Sequence, residues 1–128
     1  MPRMPLPGQG DNASGPPLSD AIVSGDHVFL SGQVPLDPVT GALVEGEIGV
    51  LAGRCLDNLA TVLARGGMTL DDVVKVNVFL TSIDDLAGLN ELYATRFTEP
   101  YPARTTVAVA ALPLGSRIEI ELVARFPS

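Results

Sequence analysis

A lone arginine lies among small, uncharged side chains in the segment Pro102-Ala103-Arg104-Thr105-Thr106-Val107-Ala108-Val109. An arginine guanidinium can hold a carboxylate through two charge-assisted hydrogen bonds, and it keeps its charge when it is buried. Glu119 follows in the segment Arg117-Ile118-Glu119-Ile120-Glu121, whose alternation predicts a strand with the isoleucines on one face and Glu119 on the other. If the two strands pair, Arg104 and Glu119 could share one pocket, in which the glutamate could orient a water molecule.

Spacing alone leaves other interpretations of these polar residues open. Arg104 and Glu119 could simply form an ion pair, or Glu119 and Glu121 could be an ordinary solvated strand face. Asn90 lies at the edge of a predicted apolar helix face, where its amide must find partners. It could make a structural bond to a loop or line a pocket. The Ser31-Gly32 turn adds backbone N–H groups that could also bind a ligand.

The usual nucleophilic and metal-binding arrangements have no support in this sequence. With one cysteine and one histidine, the common cysteine and histidine metal sites are impossible, although carboxylate sites are not excluded. Cys55 falls on the apolar stripe of a predicted helix, so we expect a small buried side chain rather than a reactive thiol. We expect His27 at the start of a strand, facing solvent. No glycine-rich segment has the pattern of a phosphate loop, and we expect neither metal nor cofactor.

Composition restricts the class of protein further. The 128 residues are 46% hydrophobic, which suits one folded domain, and the formal net charge is −7, which disfavours a nucleic-acid partner. The sequence has neither an apolar run of membrane-spanning length nor a signal peptide, so we expect a cytoplasmic protein without a membrane partner. A mean hydropathy of +0.31 is high for a small monomer, which suggests that an oligomer covers some apolar surface.

The order of predicted elements indicates a single mixed α/β (α+β) domain. Residues 1–17 are rich in proline, glycine and serine and read as a flexible lead-in, so order should begin near Leu18. Residues 18–128 then give a hairpin, a helix, a strand, a second helix and two strands. Two helices could cover one face of a mixed sheet, and the small, apolar residues on both strand faces suggest that other subunits cover the second face.

Several segments in their order along the chain resemble the RidA family. They are Ser31-Gly32-Gln33, Asp37-Pro38-Val39-Thr40-Gly41, Asn58-Leu59, Asn90-Glu91-Leu92-Tyr93, Pro102-Ala103-Arg104-Thr105-Thr106-Val107, Leu112-Pro113 and Ile118-Glu119-Ile120-Glu121. The resemblance covers about residues 16–124. It implies a chorismate-mutase-like domain assembled as a homotrimer, with pockets between subunits. It also implies hydrolytic deamination of reactive enamines and imines (2-imino acids) to 2-oxo acids and ammonia.

The resemblance also assigns roles to individual positions. Arg104 matches the arginine that holds the substrate carboxylate and Glu119 the glutamate that positions the attacking water. The pocket-lining positions of the family fall on Leu18, Ser31, Gly32, Asn90 and Thr106.

Three polar positions of the family pattern differ here. Leu18 stands where many members have tyrosine, so a substrate with a bulkier apolar side chain is expected. Asp20 and Leu51 each replace a common glutamine. The alternative function is a non-catalytic module that binds or senses a small carboxylate metabolite, whereas the ribonuclease activity also proposed for the family is disfavoured by the net charge.

Overall fold

The computed structural model describes residues 3–10 and 15–128, and in this part of the chain six strands form one sheet. The elements are β1 (Met4–Pro5), β2 (Ala21–Ser24), β3 (His27–Gln33), α1 (Ile48–Ala64), β4 (Val73–Leu80), α2 (Leu86–Arg96), β5 (Ala103–Ala108) and β6 (Ile118–Arg125). The sheet order is β1-β2-β3-β6-β4-β5, with β4 and β5 parallel and the other neighbouring pairs antiparallel. The predicted mixed α+β sheet with two helices is confirmed.

The hydrophobic core lies between one face of the sheet and the two helices. Strand β6 contributes Ile118, Ile120, Leu122 and Ala124 to it, whereas the residues that alternate with them lie on the opposite face. Helix α1 buries its predicted apolar stripe, which includes Cys55. Burial raises the pKa of the Cys55 thiol to about 12, so this side chain is a neutral core residue at physiological pH.

The local signals in the sequence place most elements correctly. The predicted hairpin forms between β2 and β3, with Gly25 at a φ of 60° in the turn. Ser82 accepts a hydrogen bond from the backbone N–H of Asp84 and thereby caps a short 3₁₀ turn that leads into α2. His27 is exposed at the start of β3, as expected.

The predicted faces of β4 need one correction. Period-two alternation places Val74 with Val76 and Val78 on one face, but the register between β4 and β6 shifts between Val73 and Lys75. Because of this bulge, Val73 is buried and Val74 is exposed. The other residues of β4 keep the predicted alternation, so the bulge changes only the first two residues of the strand.

Part of the predicted lead-in packs on the domain, so the expected start of order near Leu18 is too late for residues 3–10. Strand β1 pairs with β2, the Gly8 carbonyl oxygen accepts a hydrogen bond from Arg65, and Gln9 accepts one from the backbone N–H of Asp20. The side chain of Leu6 is only 3% exposed within the core. The rest of the lead-in includes residues 1, 2 and 11–14, which lie outside the described residues.

We expect Leu6→Ala to lower the free energy of unfolding by about 2–5 kcal/mol, since it removes a buried leucine and leaves a cavity. Denaturant unfolding of the purified variant measures this loss. Met4→Ala is the matched control, because Met4 lies two residues earlier, on β1, with its side chain 60% exposed. A Leu6→Ala midpoint equal to that of Met4→Ala would show that the segment contributes nothing to stability.

The sheet face away from the helices, called the open face here, is partly apolar. Phe29 is 50% exposed and Val107 is 40% exposed, and Glu119 and Glu121 lie between them in the sheet. A face of this kind is unusual for a domain that works alone. No helix among the described residues has both the length and the apolar character of a membrane span.

Candidate functional site

Arg104 lies on the helix-covered face of the sheet, beside the middle of α2. Its strand partner is the buried Val76 of β4, which fixes the face. The guanidinium Nη2 donates a hydrogen bond to Asn90 Oδ1 at 2.7 Å, and Cζ lies 4.6 Å from the centre of the Tyr93 ring. A cation over an aromatic face at this distance is electrostatically attracted to it. Both of these contacts to Arg104 thus come from one turn of α2.

A cavity of about 350 Å³ opens beside this arginine. Its lining consists of Asn90, Tyr93, Ala94, Tyr101, Pro102 and Arg104. Mostly apolar walls with few polar groups are typical of small-molecule sites. Thr106 lies two residues beyond Arg104 on the same face, and its hydroxyl is buried without a hydrogen-bond partner in residues 3–10 and 15–128. We call Asn90, Tyr93, Arg104 and Thr106 the arginine half-site.

Glu119 lies on the open face, opposite Phe79 of β4. Burial raises its pKa above the ordinary value, and the neighbouring Glu121 carboxylate raises it further. Glu121 itself accepts a hydrogen bond from Asn77 Nδ2 at 3.0 Å. A carboxylate with a raised pKa binds a proton more readily than an exposed one, which suits a general base.

Gly32 leaves the space that the Glu119 side chain occupies. A Cβ atom added to Gly32 would lie 2.9 Å from Glu119 Cδ and 3.0 Å from its Oε2. This close approach occurs where the register between β3 and β6 shifts, between Leu30 and Gln33. Only glycine lets the two strands approach in this way without moving the carboxylate. We group Gly32 and Glu119 with Ser31, which precedes Gly32 in β3, and with Leu18, which shares a cavity with Ser31, as the glutamate half-site.

Ser31 and Leu18 line a separate cavity of about 560 Å³. The hydroxyl of Ser31 donates a hydrogen bond to the backbone carbonyl of Ser19 at 2.5 Å, and Leu18 is half exposed. Ile22 and Phe29 extend the apolar wall, and Arg3 and Gln9 of the N-terminal segment contribute polar atoms. Leu18 therefore lines a cavity whose wall is only partly apolar.

The two predicted catalytic residues do not share a pocket within one chain. Strand β4 separates β5 from β6, so the pairing that would have joined Arg104 to Glu119 does not form. The two side chains also project from opposite faces of the sheet, since Arg104 contacts α2 and Glu119 lies on the open face. A direct ion pair between them within one chain is excluded for the same reason. Among the predicted residues, the structure brings together Asn90, Arg104 and Thr106.

Sequence reasoning missed two aromatic residues of the arginine half-site and its cavity. The apolar pattern of the sequence places Tyr93 only on the buried face of α2 and gives Tyr101 no role. The available signal was spacing, because Tyr93 lies three residues after Asn90 and therefore on the same face of the helix. Tyr101 lies three residues before Arg104 in a segment without periodicity, which gives no such signal.

For the imine hydrolysis that the sequence resemblance implies, Gly32→Ala is expected to lower kcat/KM by about tenfold, which corresponds to ~1.4 kcal/mol of lost transition-state stabilisation. The reason is that the added methyl group displaces the Glu119 carboxylate. Gly49→Ala is the matched control, because a Cβ there would lie 3.8 Å from Leu92 Cβ, an ordinary contact between α1 and α2. Steady-state kinetics on both variants tests the prediction, and equal activities would contradict it.

Comparison with known proteins identifies the family of this chain. The family model described as Endoribonuclease L-PSP matches residues 12–126. The chain belongs to the RidA family. The human 2-iminobutanoate/2-iminopropanoate deaminase is 42% identical over 108 residues, covering 84% of this chain and 79% of the human protein.

Solved structures of RidA relatives have the same fold. RidA from the Antarctic bacterium Psychrobacter sp. superposes with a TM-score of 0.83 at 41% identity, covering 89% of this chain and 92% of that one. The E. coli protein TdcF, solved with bound serine, gives a TM-score of 0.81 at 34% identity, covering 88% of this chain and 90% of that one. These values support the RidA assignment over nearly the whole described chain.

Proposed function

We propose that this RidA-family chain hydrolyses small 2-imino acids and their enamine tautomers to 2-oxo acids and ammonia. The observation that carries the proposal is Arg104, whose guanidinium is held by Asn90 and Tyr93 at the wall of a small cavity. A fixed cation at an apolar cavity suits a small carboxylate. The deaminase name of the human relative and the serine bound to TdcF both concern molecules with an α-carboxylate, which supports the same substrate class.

The proposal includes a site shared between copies of the chain. Arg104 and Glu119 lie on opposite faces of one sheet, so a second copy must bring its glutamate half-site to the arginine half-site of the first. The partly apolar open face and the edge strand β5 offer surfaces for such packing. The chorismate-mutase-like homotrimer implied by the sequence resemblance has pockets of this kind and is part of the proposal.

The proposed chemistry needs few groups. Arg104 holds the substrate carboxylate, and Glu119 takes a proton from water as the oxygen attacks the carbon of the C=N bond. Glu119 returns this proton to the nitrogen, which gives the carbinolamine, and transfer of the hydroxyl proton to the amine then expels ammonia and leaves the 2-oxo acid. Imines already react with water, so a hundredfold acceleration needs only about 2.7 kcal/mol of stabilisation.

The remaining positions of the two half-sites have smaller proposed roles. Ser31 and Gly32 line the pocket near Glu119, Asn90 orients Arg104, and Thr106 contributes through its backbone. Leu18 forms an apolar wall and admits larger apolar substrate side chains. The proposal includes no metal, cofactor or nucleic acid, and its proposed location is the cytoplasm.

A non-catalytic carboxylate-binding module is the second candidate function. One specific observation favours it, since the arginine half-site is complete within one chain whereas Glu119 faces elsewhere. Such a module would bind a carboxylate metabolite without changing it.

A coupled assay separates these two functions. An amino-acid dehydratase generates the enamine in solution, and ammonia release is followed with and without the purified protein. Faster release supports the deaminase. A rise in melting temperature with 2-oxobutanoate, without any acceleration of ammonia release, would support the binding module instead.

A further inference from the structure

We infer that Tyr93 is a positioning residue for carboxylate recognition, because its ring and the Asn90 amide together fix the orientation of the Arg104 guanidinium. This inference rests on the proposed carboxylate-binding role of Arg104. It assigns a role to a side chain that the sequence places only in the hydrophobic core. The inference is based on the relative positions of the Tyr93 ring, the Asn90 amide and the Arg104 guanidinium.

The Tyr93 ring is itself held in place. Its side chain is 6% exposed, and its ring centre lies 4.5 Å from that of Phe97, with the planes tilted by 33°. Phe97 follows the last residue of α2 and is 3% exposed. An aromatic pair buried in this way has little freedom to move, so it forms a rigid platform.

Arg104 makes two contacts with α2, one with the Tyr93 ring of this platform and one with the Asn90 amide. The ring lies 4.6 Å from Cζ, and the Asn90 amide oxygen accepts one hydrogen bond from Nη2. Asn90 and Tyr93 lie one helical turn apart on α2, so their relative position is fixed by the helix. Two contacts from one rigid turn restrict both the position and the rotation of the guanidinium.

The remaining donors of Arg104 are available for a ligand. A guanidinium has five N–H groups, and Asn90 takes one of them. Within the described part of the chain, no carboxylate forms an ion pair with Arg104. A ligand carboxylate in the adjacent cavity would therefore meet an oriented cation whose charge is not neutralised.

The hydroxyl of Tyr93 does not explain its position. This oxygen is buried and has no hydrogen-bond partner among residues 3–10 and 15–128. Burial also raises the pKa of Tyr93, so the hydroxyl stays neutral and offers no charge to Arg104. A buried hydroxyl without a partner destabilises the fold, whereas the ring that carries it contacts the cation directly. The contribution to Arg104 is therefore assigned to the ring.

The test compares Tyr93→Phe, which keeps the ring, with Tyr93→Leu, which removes it. The probe is 2-oxobutanoate, whose affinity is measured by titration calorimetry, together with imine kinetics. We expect Tyr93→Phe to bind within about twofold of the parent protein, and Tyr93→Leu to bind about tenfold more weakly, or ~1.4 kcal/mol. We also expect KM to rise by a similar factor in Tyr93→Leu while kcat changes much less. In an Arg104→Ala background, Tyr93→Leu should cause no further loss of affinity.

Several outcomes decide the inference independently of the deaminase proposal. Equal affinity in the parent protein, Tyr93→Phe and Tyr93→Leu would overturn it, whether or not imines are hydrolysed. A tenfold loss of affinity in Tyr93→Leu without turnover in any protein would support it and would reject the deaminase activity. If Tyr93→Leu does not fold, Tyr93→Met fills the space with a flexible apolar chain, and the same tenfold weakening is expected.

Discussion

Replacing Arg104 with alanine is expected to lower kcat/KM for 2-iminobutanoate by about 100-fold, which corresponds to ~2.7 kcal/mol. The reason is that the substrate carboxylate loses a preorganised cation, and charge-assisted hydrogen bonds are stronger than neutral ones. The measurement is ammonia release from the enamine produced in the coupled assay. Arg104→Lys should recover only part of the activity, because an ammonium group cannot bind a carboxylate with a planar pair of donors.

Arg54→Ala is the matched control for this prediction. Arg54 donates from Nε to Asn58 Oδ1 at 3.2 Å, so it also makes one hydrogen bond to an asparagine, but it lies on α1 and lines neither cavity of the two half-sites. We expect its activity to equal that of the parent protein. Full ammonia release by folded Arg104→Ala would show that the activity has another origin, such as a contaminating enzyme.

Replacing Glu119 with glutamine is expected to lower kcat by about 100-fold with little change in KM, since general-base catalysis contributes at least this much. The substitution keeps the shape of the side chain and removes its ability to accept a proton. The parent protein should also lose activity as the pH falls through the raised pKa of Glu119, because only the ionised carboxylate accepts a proton from water. We expect the midpoint of this acid limb at a pH above the ordinary pKa of a glutamate.

Glu121→Gln is the control for the pH dependence. It removes the neighbouring negative charge that raises the pKa of Glu119, so the acid limb should move to lower pH. Desolvation is the larger cause and remains, so the limb should still lie above the ordinary value. Activity at neutral pH should be unchanged. An acid limb at the same pH in Glu121→Gln and the parent protein would show that Glu119 does not control it.

Glu119→Gln should also stabilise the folded protein at neutral pH. A carboxyl group whose pKa is raised by folding stabilises the protein below its unfolded pKa, and this contribution is lost as the pH rises through the folded pKa. At neutral pH the buried negative charge is therefore unfavourable, and glutamine removes it. The melting temperature of Glu119→Gln should exceed that of the parent protein at pH 7.5, and the difference should shrink in acid.

Local sequence patterns predicted most elements because burial is periodic. The isoleucines of β6 alternate with glutamates, and the apolar residues of α1 recur at helical spacing, so both elements and their buried faces follow from the sequence. Asn90 and Arg104 were also identified as candidates, and the structure brings their side chains into contact. The half-site around Arg104 was therefore predictable in part.

The relation between the two half-sites was not predictable from these patterns. Alternation determines which residues of one strand share a face, but the order of strands in a sheet depends on long-range pairing. Strand β4 precedes both β5 and β6 in sequence and lies between them in space, which separates Arg104 from Glu119. The packing of Leu6 was missed for a similar reason, because one buried leucine in a proline-rich segment has no period.

The position of β4 between the two half-sites has an evolutionary consequence. Substitutions around Arg104 repack α2 and β5, whereas substitutions around Glu119 alter β3 and β6 on the other face. Selection could therefore change which carboxylate ligand binds at Arg104 without disturbing the groups near Glu119. It could equally change the groups near Glu119 without disturbing the binding of the ligand at Arg104. A lineage built on this fold can diversify its ligands and its chemistry along separate mutational routes.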